Sequence, residues 1–218
     1  MVPVIKNTLD QTKLAELIGI LLGDGSINVY ESKKYSTFYR IKISFHSQEQ
    51  EYIEYVTCLI KELLNESCKV EVRKNEQTTN LLIFKKHLIE YFLNLGMVKS
   101  PKWNRAIIPL EFMADEFSKH VLRGYFDTDG SVVIANNNGS IYPRLEMKIS
   151  PSPMQQQFIS VIESNGFNLK VYSIGKGKVR VQMNGVSQMK KWFEIIGSSN
   201  PKHRTRADIF VNSITTFF

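Results

Sequence analysis

The chain carries one pattern twice. "LIGILLGDGSINV" spans Leu17 to Val29 and "VLRGYFDTDGSVVI" spans Val121 to Ile134, each an apolar run closed by Asp-Gly-Ser and followed by a β-prone segment. The closing aspartates, Asp24 and Asp129, lie 129 − 24 = 105 positions apart. Downstream, the "KIS" beginning at Lys42 matches the "KIS" beginning at Lys148, 148 − 42 = 106 apart, so a single one-residue shift keeps the copies in step. A third block, Ser100-Pro101-Lys102, faces Asn200-Pro201-Lys202. Three matched blocks in one order mean two copies of one unit.

Within a unit the periodicity reads helix, hairpin, helix, hairpin, helix. Residues from about 10 to 23 place Leu14, Leu17, Ile18, Leu21 and Leu22 at helical spacing, with Thr8 and Gln11 offering a capping box and Gly25 the stop. From Phe38 to Phe45 the period becomes two, with Tyr39, Ile41, Ile43 and Phe45 opposite Arg40, Lys42 and Ser44. A helix through Tyr52, Val56, Leu59, Ile60 and Leu63 follows, then a hairpin carrying Lys69, Glu71 and Arg73 on one side, then a closing helix. The second unit repeats this, with Arg144, Glu146, Lys148 and Ser150 alternating in one strand and Lys178, Arg180 and Gln182 in another. "SPKWNRAIIPLEF", with Pro101 and Pro109, reads as the linker, which sets the units at 1–108 and 109–218 with linker from about 100. The fold class is α+β.

Charge indicates the kind of partner. The formal net charge is +7 and the pI about 9.3, which favours a polyanion, and nucleic acid is the commonest. A hydrophobic fraction of 43% supports a packed core. Cys58 and Cys68 lack metal-ligand spacing and read as reduced, partly buried thiols. "MVPVIKNTLDQ" shows neither a signal-peptide nor a transit pattern, and no apolar run is long enough to cross a bilayer, so an intracellular, unsecreted protein is expected, in a prokaryotic cytoplasm or an organelle matrix.

The repeated aspartates are electrostatically awkward. A helix C-terminus carries roughly half a negative charge, and a carboxylate there costs on the order of 0.3–1 kcal/mol unless a cation neutralises it. If the two helices pack in parallel, Asp24 and Asp129 converge and the cost grows. Hard oxygen ligands of this kind suit Mg²⁺. Gly19 and Gly23 on one helix, and Gly124 and Thr128 on the other, are four apart and would let two backbones approach closely.

These residues reach a known family. "LIGILLGDG" and "LRGYFDTDG" resemble the LAGLIDADG motif of homing endonucleases, in the single-chain form with two motifs. Leu22 and Gly23 replace the motif's Asp-Ala in the first copy, and Arg123, Tyr125 and Phe126 replace Ala, Leu and Ile in the second, while Asp127 and both terminal Asp-Gly pairs remain. The resemblance implies two αββαββα units packed through their motif helices about a pseudo-two-fold axis, forming a β-saddle over a DNA major groove. It implies that Asp24 and Asp129 bind Mg²⁺, with the carbonyls of Gly23 and Thr128 as further ligands, Mn²⁺ as a substitute, and Ca²⁺ supporting binding without cleavage.

It further places His46, and Ser152 or a neighbour in the second unit, beside the metals, and a basic residue at Lys99 with Lys202 as its partner. The saddle would be lined by Ser26, Asn28, Tyr30, Arg40, Lys42, Ser44, Lys69, Glu71 and Arg73 in one unit. In the other it would be lined by Arg144, Glu146, Lys148, Tyr172, Lys178, Arg180 and Gln182. The implied function is Mg²⁺-dependent, double-strand cleavage of a long, nearly asymmetric DNA site by a monomer, leaving short 3′ overhangs and promoting intron or intein mobility. An RNA maturase acting on intron RNA, or a catalytically inactive DNA-binding protein of the same fold, is the alternative.

Overall fold

The computed structural model describes residues 9–31 and 37–215. The first unit runs α1 (Gln11–Gly23), β1 (Gly25–Tyr30), β2 (Phe38–His46), α2 (Gln50–Leu64), β3 (Lys69–Arg73), β4 (Thr78–Ile83) and α3 (Lys86–Asn94). The second runs α4 (Asp115–Asp129), β5 (Gly130–Asn137), β6 (Ser140–Ile149), α5 (Met154–Ser164), β7 (Lys170–Ser173), β8 (Val179–Asn184) and α6 (Val186–Ile195), then adds α7 (Pro201–Thr215). Each unit folds one antiparallel sheet, ordered β1-β2-β4-β3 and β5-β6-β8-β7. The repeat read from sequence is thus a repeat of topology, and the predicted αββαββα order holds in both units.

Alternation decides which face of each sheet is buried. Ile41, Ile43 and Phe45 of β2, and Leu145, Met147 and Ile149 of β6, lie in the core. The register then aligns the opposite face in rows: Ser26 pairs with Lys42, Lys42 with Leu82, and Leu82 with Lys69. The edge strand β3 is the exception, since Val70 and Val72 are exposed along with Lys69 and Arg73.

The seam between the units is α1 against α4, running in parallel. A methyl group on Gly19 would stand 2.1 Å from the Val121 carbonyl oxygen and 2.8 Å from the Tyr125 nitrogen. One on Gly124 would stand 2.1 Å from the Glu16 carbonyl oxygen and 3.0 Å from the Ile20 nitrogen. These contacts interconvert under the 105-residue offset (19 and 124, 16 and 121, 20 and 125), so the seam is a true pseudo-two-fold. The small residues at four-residue spacing are therefore used for backbone contact.

Across the seam, fully buried Glu16 accepts a hydrogen bond from Arg123 and others from Tyr55 and Ser199 at 2.8 and 2.6 Å. Arg123 occupies a position where the motif has Ala, and Glu16 supplies the reason: each charge compensates the other. Removing one partner of a buried pair leaves the other stranded, at about 3 kcal/mol or more. Arg123→Met is accordingly expected to lower the thermal midpoint by roughly 6–12 °C in a melting experiment; an unchanged midpoint would mean that Glu16 is stabilised by Tyr55 and Ser199 alone.

Three local expectations are revised. The cap of α1 is Asp10, whose carboxylate accepts from the Thr12 and Lys13 amides at 2.9 and 3.2 Å; Thr8 lies outside the described residues. Cys58 is exposed on α2 rather than partly buried, and Cys68 is half-buried. The stretch read as a linker is a strap onto the second unit. The Asn104 amide donates to the Pro151 carbonyl at 2.6 Å, the Met154 amide to that of Ala106 at 3.1 Å, and the Gln157 side chain brackets Ile108 at 2.8 and 3.0 Å. Pro201 in the matching block instead opens α7, proline being pre-organised for the first position of a helix.

Candidate active site

Both motif helices end in the same place. A methyl on Gly23 would stand 2.0 Å from Thr128 Oγ1 and 3.1 Å from Asp129 Oδ2, so the last turn of α1 lies directly against the carboxylate that closes α4. Burial in the seam, then the Asp129 charge beside it, pushes the Asp24 carboxyl up to about 7; Glu49 adds to the rise, and Lys102 and Lys202 oppose it. Burial also raises Asp129, against Lys102, the Tyr125 hydroxyl and Lys178. Both aspartates keep a solvent-exposed side, so the seam is open at this end.

A lysine not singled out for the site in the sequence reading completes it. Lys102 Nζ donates to the carbonyls of Leu21, Leu22 and Gly23 at 2.9, 2.6 and 2.6 Å. These are terminal carbonyls of α1, the groups a helix leaves without intrahelical partners, and an ammonium answers their partial charge. Burial lowers Lys102 to about 8, with Asp129 and Asp24 holding it up. Lys99, the basic residue expected here, is exposed, and its carbonyl accepts from Arg105 at 2.8 Å. The signal was present: the repeat pairs Lys202 with Lys102, not with Lys99. The Gly23 carbonyl, expected to serve a metal, belongs to Lys102 in this arrangement.

Lys202, whose charge also reaches Asp24, has its Nζ on Glu49 at 2.6 Å. The pair walls a cleft of about 700 Å³ between α2 and α7, together with His46, Tyr52 and Arg206. His46 is exposed there, its Nε2 3.2 Å from Gln77 Oε1 and its Nδ1 accepting from the Gln48 amide at 3.3 Å. Ser152 donates to the Ser150 carbonyl at 3.2 Å. On the other side Asp129 shares a recess of about 540 Å³ with Lys148, Ser150, Lys178 and Arg180. Lys178 sits 5.3 Å above the Trp103 ring of the strap.

Behind α4, Asp127 fastens the approach to α7. It accepts from Ser198 Oγ at 2.5 Å and from the Ser199 amide at 2.7 Å, and burial raises its carboxyl to about 7. His203 is fully buried, 4.8 Å from the Phe126 ring, and burial lowers it to about 4.

The outer strand faces carry the expected cations, tied into networks. Ser44 donates to Asn80 at 2.8 Å, Asn80 to Glu71 at 2.9 Å, and Arg73 pairs with Glu71 at 3.1 Å. In the second unit Gln182 donates to Glu146 at 3.3 Å and Arg144 pairs with it at 3.2 Å. Each glutamate therefore holds its neighbours in place. Gln182, expected on the reading surface, is 6% exposed. Arg40 donates to the Tyr30 hydroxyl at 2.9 Å and lies over its ring. Ser26 and Asn28 are half-buried, and Lys69, Lys148 and Tyr172 exposed. Phe38, Asn80 and Leu82 share this face and escaped the sequence reading; cross-strand register, not local pattern, puts them there.

The donor chemistry fits a hard divalent cation. Two carboxylates are brought together at helix C-termini, and among the described residues neither has a cationic side chain within 4.0 Å. The described residues hold no cluster of three His, Cys, Asp or Glu side chains, so any ion would draw its remaining ligands from backbone, water or substrate.

Two pseudo-symmetric units, each with a helix ending in Asp at a shared seam and a polar saddle above it, define a single-chain, double-motif architecture. The chain belongs to the LAGLIDADG DNA endonuclease family, whose model matches residues 15–193. The crystal structure of I-DmoI in complex with DNA and Mn is similar at a TM-score of 0.60 and 19% identity, over 87% of this chain and 98% of that one. The homing endonuclease I-WcaI bound to its DNA recognition sequence matches at 0.60 and 16%, over 90% and 84%. The meganuclease I-AabMI bound to uncleaved DNA matches at 0.59 and 12%, over 94% and 92%.

Two proteins of Methanocaldococcus jannaschii are also similar. An uncharacterized protein, MJ1054, is 26% identical over 92% of this chain, and the replication factor C small subunit is 23% identical over 87%. The chain spans only 22% and 10% of their respective lengths. No helix among the described residues is long and apolar enough to cross a membrane.

Proposed function

We propose that this chain is a monomeric, Mg²⁺-dependent, site-specific DNA endonuclease that makes double-strand breaks with short 3′ overhangs and promotes the mobility of its own coding segment. The observation that carries the reading is the convergence of Asp24 and Asp129 at one open seam beneath two matched polar saddles. Asp24 and Asp129 would hold the ion, with the Thr128 carbonyl as a further ligand; once bound, it would supply charge to the phosphoryl oxygens of the scissile phosphate. Lys102 holds the end of α1 in place and sets a half-buried positive charge near both carboxylates, where negative charge develops on phosphate. His46 orders or deprotonates water at the cleft edge. The outer strand faces present Lys42, Lys69, Lys148 and Arg180 to a long, nearly asymmetric duplex, the asymmetry following from the unlike residues of the two sheets. The similarity to short stretches of much longer relatives supports a mobile segment, of intein or intron type.

The test uses a plasmid carrying the uninterrupted form of the gene that flanks this reading frame. Linear product with Mg²⁺, and none with EDTA, is the expected result. Affinity for that duplex should fall with salt by about one unit of log–log slope per phosphate neutralised. No cutting, together with a salt-insensitive affinity, would remove both halves of the reading.

A further inference from the structure

Strand register matches the two sheets row by row. In the first sheet Ser26, Lys42, Leu82 and Lys69 form one cross-strand row; in the second Ser131, Glu146, Gln182 and Lys170 do. Each row starts at the serine of its Asp-Gly-Ser and ends at the lysine that opens its edge strand, β3 or β7. The counterpart of Lys42 in space is therefore Glu146, at 146 − 42 = 104, and not the Lys148 that the "KIS" match pairs with it. Both side chains lie on the outer face, opposite buried Ile41 and Ile43 in β2 and buried Leu145 and Met147 in β6. Matched places in the two saddles thus carry opposite charges.

Glu146 is held in one pose. Arg144 pairs with its Oε2 at 3.2 Å, and Gln182 Nε2 donates to the same oxygen at 3.3 Å. That leaves Oε1 for another donor, and the residue borders a recess of about 240 Å³ with Asp129, Ser131 and Lys148. A carboxylate repels phosphate, so on a face that meets DNA its use is to accept from a base edge. The donors of a major groove are cytosine N4 and adenine N6. Adenine sets the lone pair of N7 beside N6, against a carboxylate, whereas the cytosine edge offers its amino group alone. A lysine at the matched place has the opposite need, and guanine O6 and N7 meet it.

We propose that Glu146 is a specificity-determining residue that accepts from the N4 amino group of a cytosine, at the mirror of the place where Lys42 donates to a guanine in the other half-site. The inference rests on the endonuclease reading and deepens it by naming a base and its reader. The two half-sites then differ at this mirrored pair because the facing side chains differ in sign. Arg144 and Gln182 fix the carboxylate before DNA arrives, so little side-chain freedom is lost on binding.

The experiment measures binding in EDTA, so that no strand is cut, to the duplex carrying the uninterrupted flanking-gene sequence and to duplexes in which each pair is replaced in turn by the other three. Wild type should prefer cytosine at one pair by about fivefold or more, the discrimination a single good base contact supplies. Glu146→Lys should turn that preference to guanine. Glu146→Gln keeps the shape and gains a donor, and should turn it to adenine. Lys42→Met should flatten the preference at the mirror pair, and the base profile elsewhere should stay as in wild type. Melting curves of every variant separate these effects from unfolding. Affinity that changes alike on every duplex in both Glu146 variants would reduce Glu146 to a support for its neighbours and overturn the assignment while leaving the nuclease standing. A switch at a pair that does not mirror the one flattened by Lys42→Met would overturn it too. Equal binding of every duplex by wild type overturns the site-specific endonuclease reading, and the base assignment with it.

Discussion

Asp24→Asn and Asp129→Asn should each reduce cleavage by at least about 10³-fold, the rate equivalent of roughly 4 kcal/mol, while DNA binding persists. The carboxylates end α1 and α4 side by side, and the strand faces that would bind DNA are separate surfaces. The same substitutions should raise the melting temperature of the metal-free protein. A carboxyl whose folded pKa stands above its unfolded value holds its proton more tightly when folded. Asp24, moved from 3.8 to about 7, therefore favours the folded state at low pH and loses that contribution as pH rises through the window between those values. Asn carries no charge to repel Asp129, so the stability gap between Asp24→Asn and wild type should widen from pH 4 to pH 7. Buried His203 shifts in the opposite sense, and taking the difference between the two proteins cancels its contribution. A residue whose loss removes activity and adds stability is spent on function rather than on the fold. Normal cutting by either variant would end the catalytic assignment.

The repeat, the strand faces and the acidic pair were legible because each is a matter of period or of matched position. Alternation in "RIKISF" places Ile41, Ile43 and Phe45 in the core with no knowledge of the partner strand. Arg123 was not legible in that way, and for Lys102 the repeat marked the position but not the role. Arg123 stands where the motif has Ala, and its meaning appears only when Glu16 of the other helix is beside it. Lys102 lies in a proline-bearing stretch that reads as linker, and only the return of the chain over α1 brings its ammonium to three carbonyls. Both are tertiary facts, and both concern charges that would be costly if left alone. Repeated sequence also overstated the symmetry: Pro101 and Pro201 head matching blocks, yet one begins a strap and the other a helix. The single covalent link between the units must break the two-fold somewhere, and it does so beside the site.

Gly19→Val and Gly124→Val should each cost more than about 4 kcal/mol and lower the melting temperature by roughly 10 °C or more. Even a methyl at either position meets main-chain oxygen at 2.1 Å on the facing helix, and backbone cannot swing aside as a side chain can. The two helices would have to separate along their length, which opens the apolar contacts of Ile20 and Val121 and draws Arg123 from Glu16. Gly23→Ala makes a milder and more informative change. Its methyl meets the Thr128 hydroxyl at 2.0 Å and the Thr128 Cβ at 3.0 Å, contacts that rotation and a small shift can relieve. Gly23→Ala should therefore fold, melt within a few degrees of wild type, and cut more slowly, because relief at this point displaces Thr128 and the adjoining Asp129 carboxylate. Pairing it with Thr128→Gly, which removes the obstructing side chain, should recover part of the rate. Melting curves beside cleavage rates decide the matter: wild-type stability in Gly19→Val would show that the helices do not touch through their backbones, and the carboxylates at their ends would then have no reason to meet.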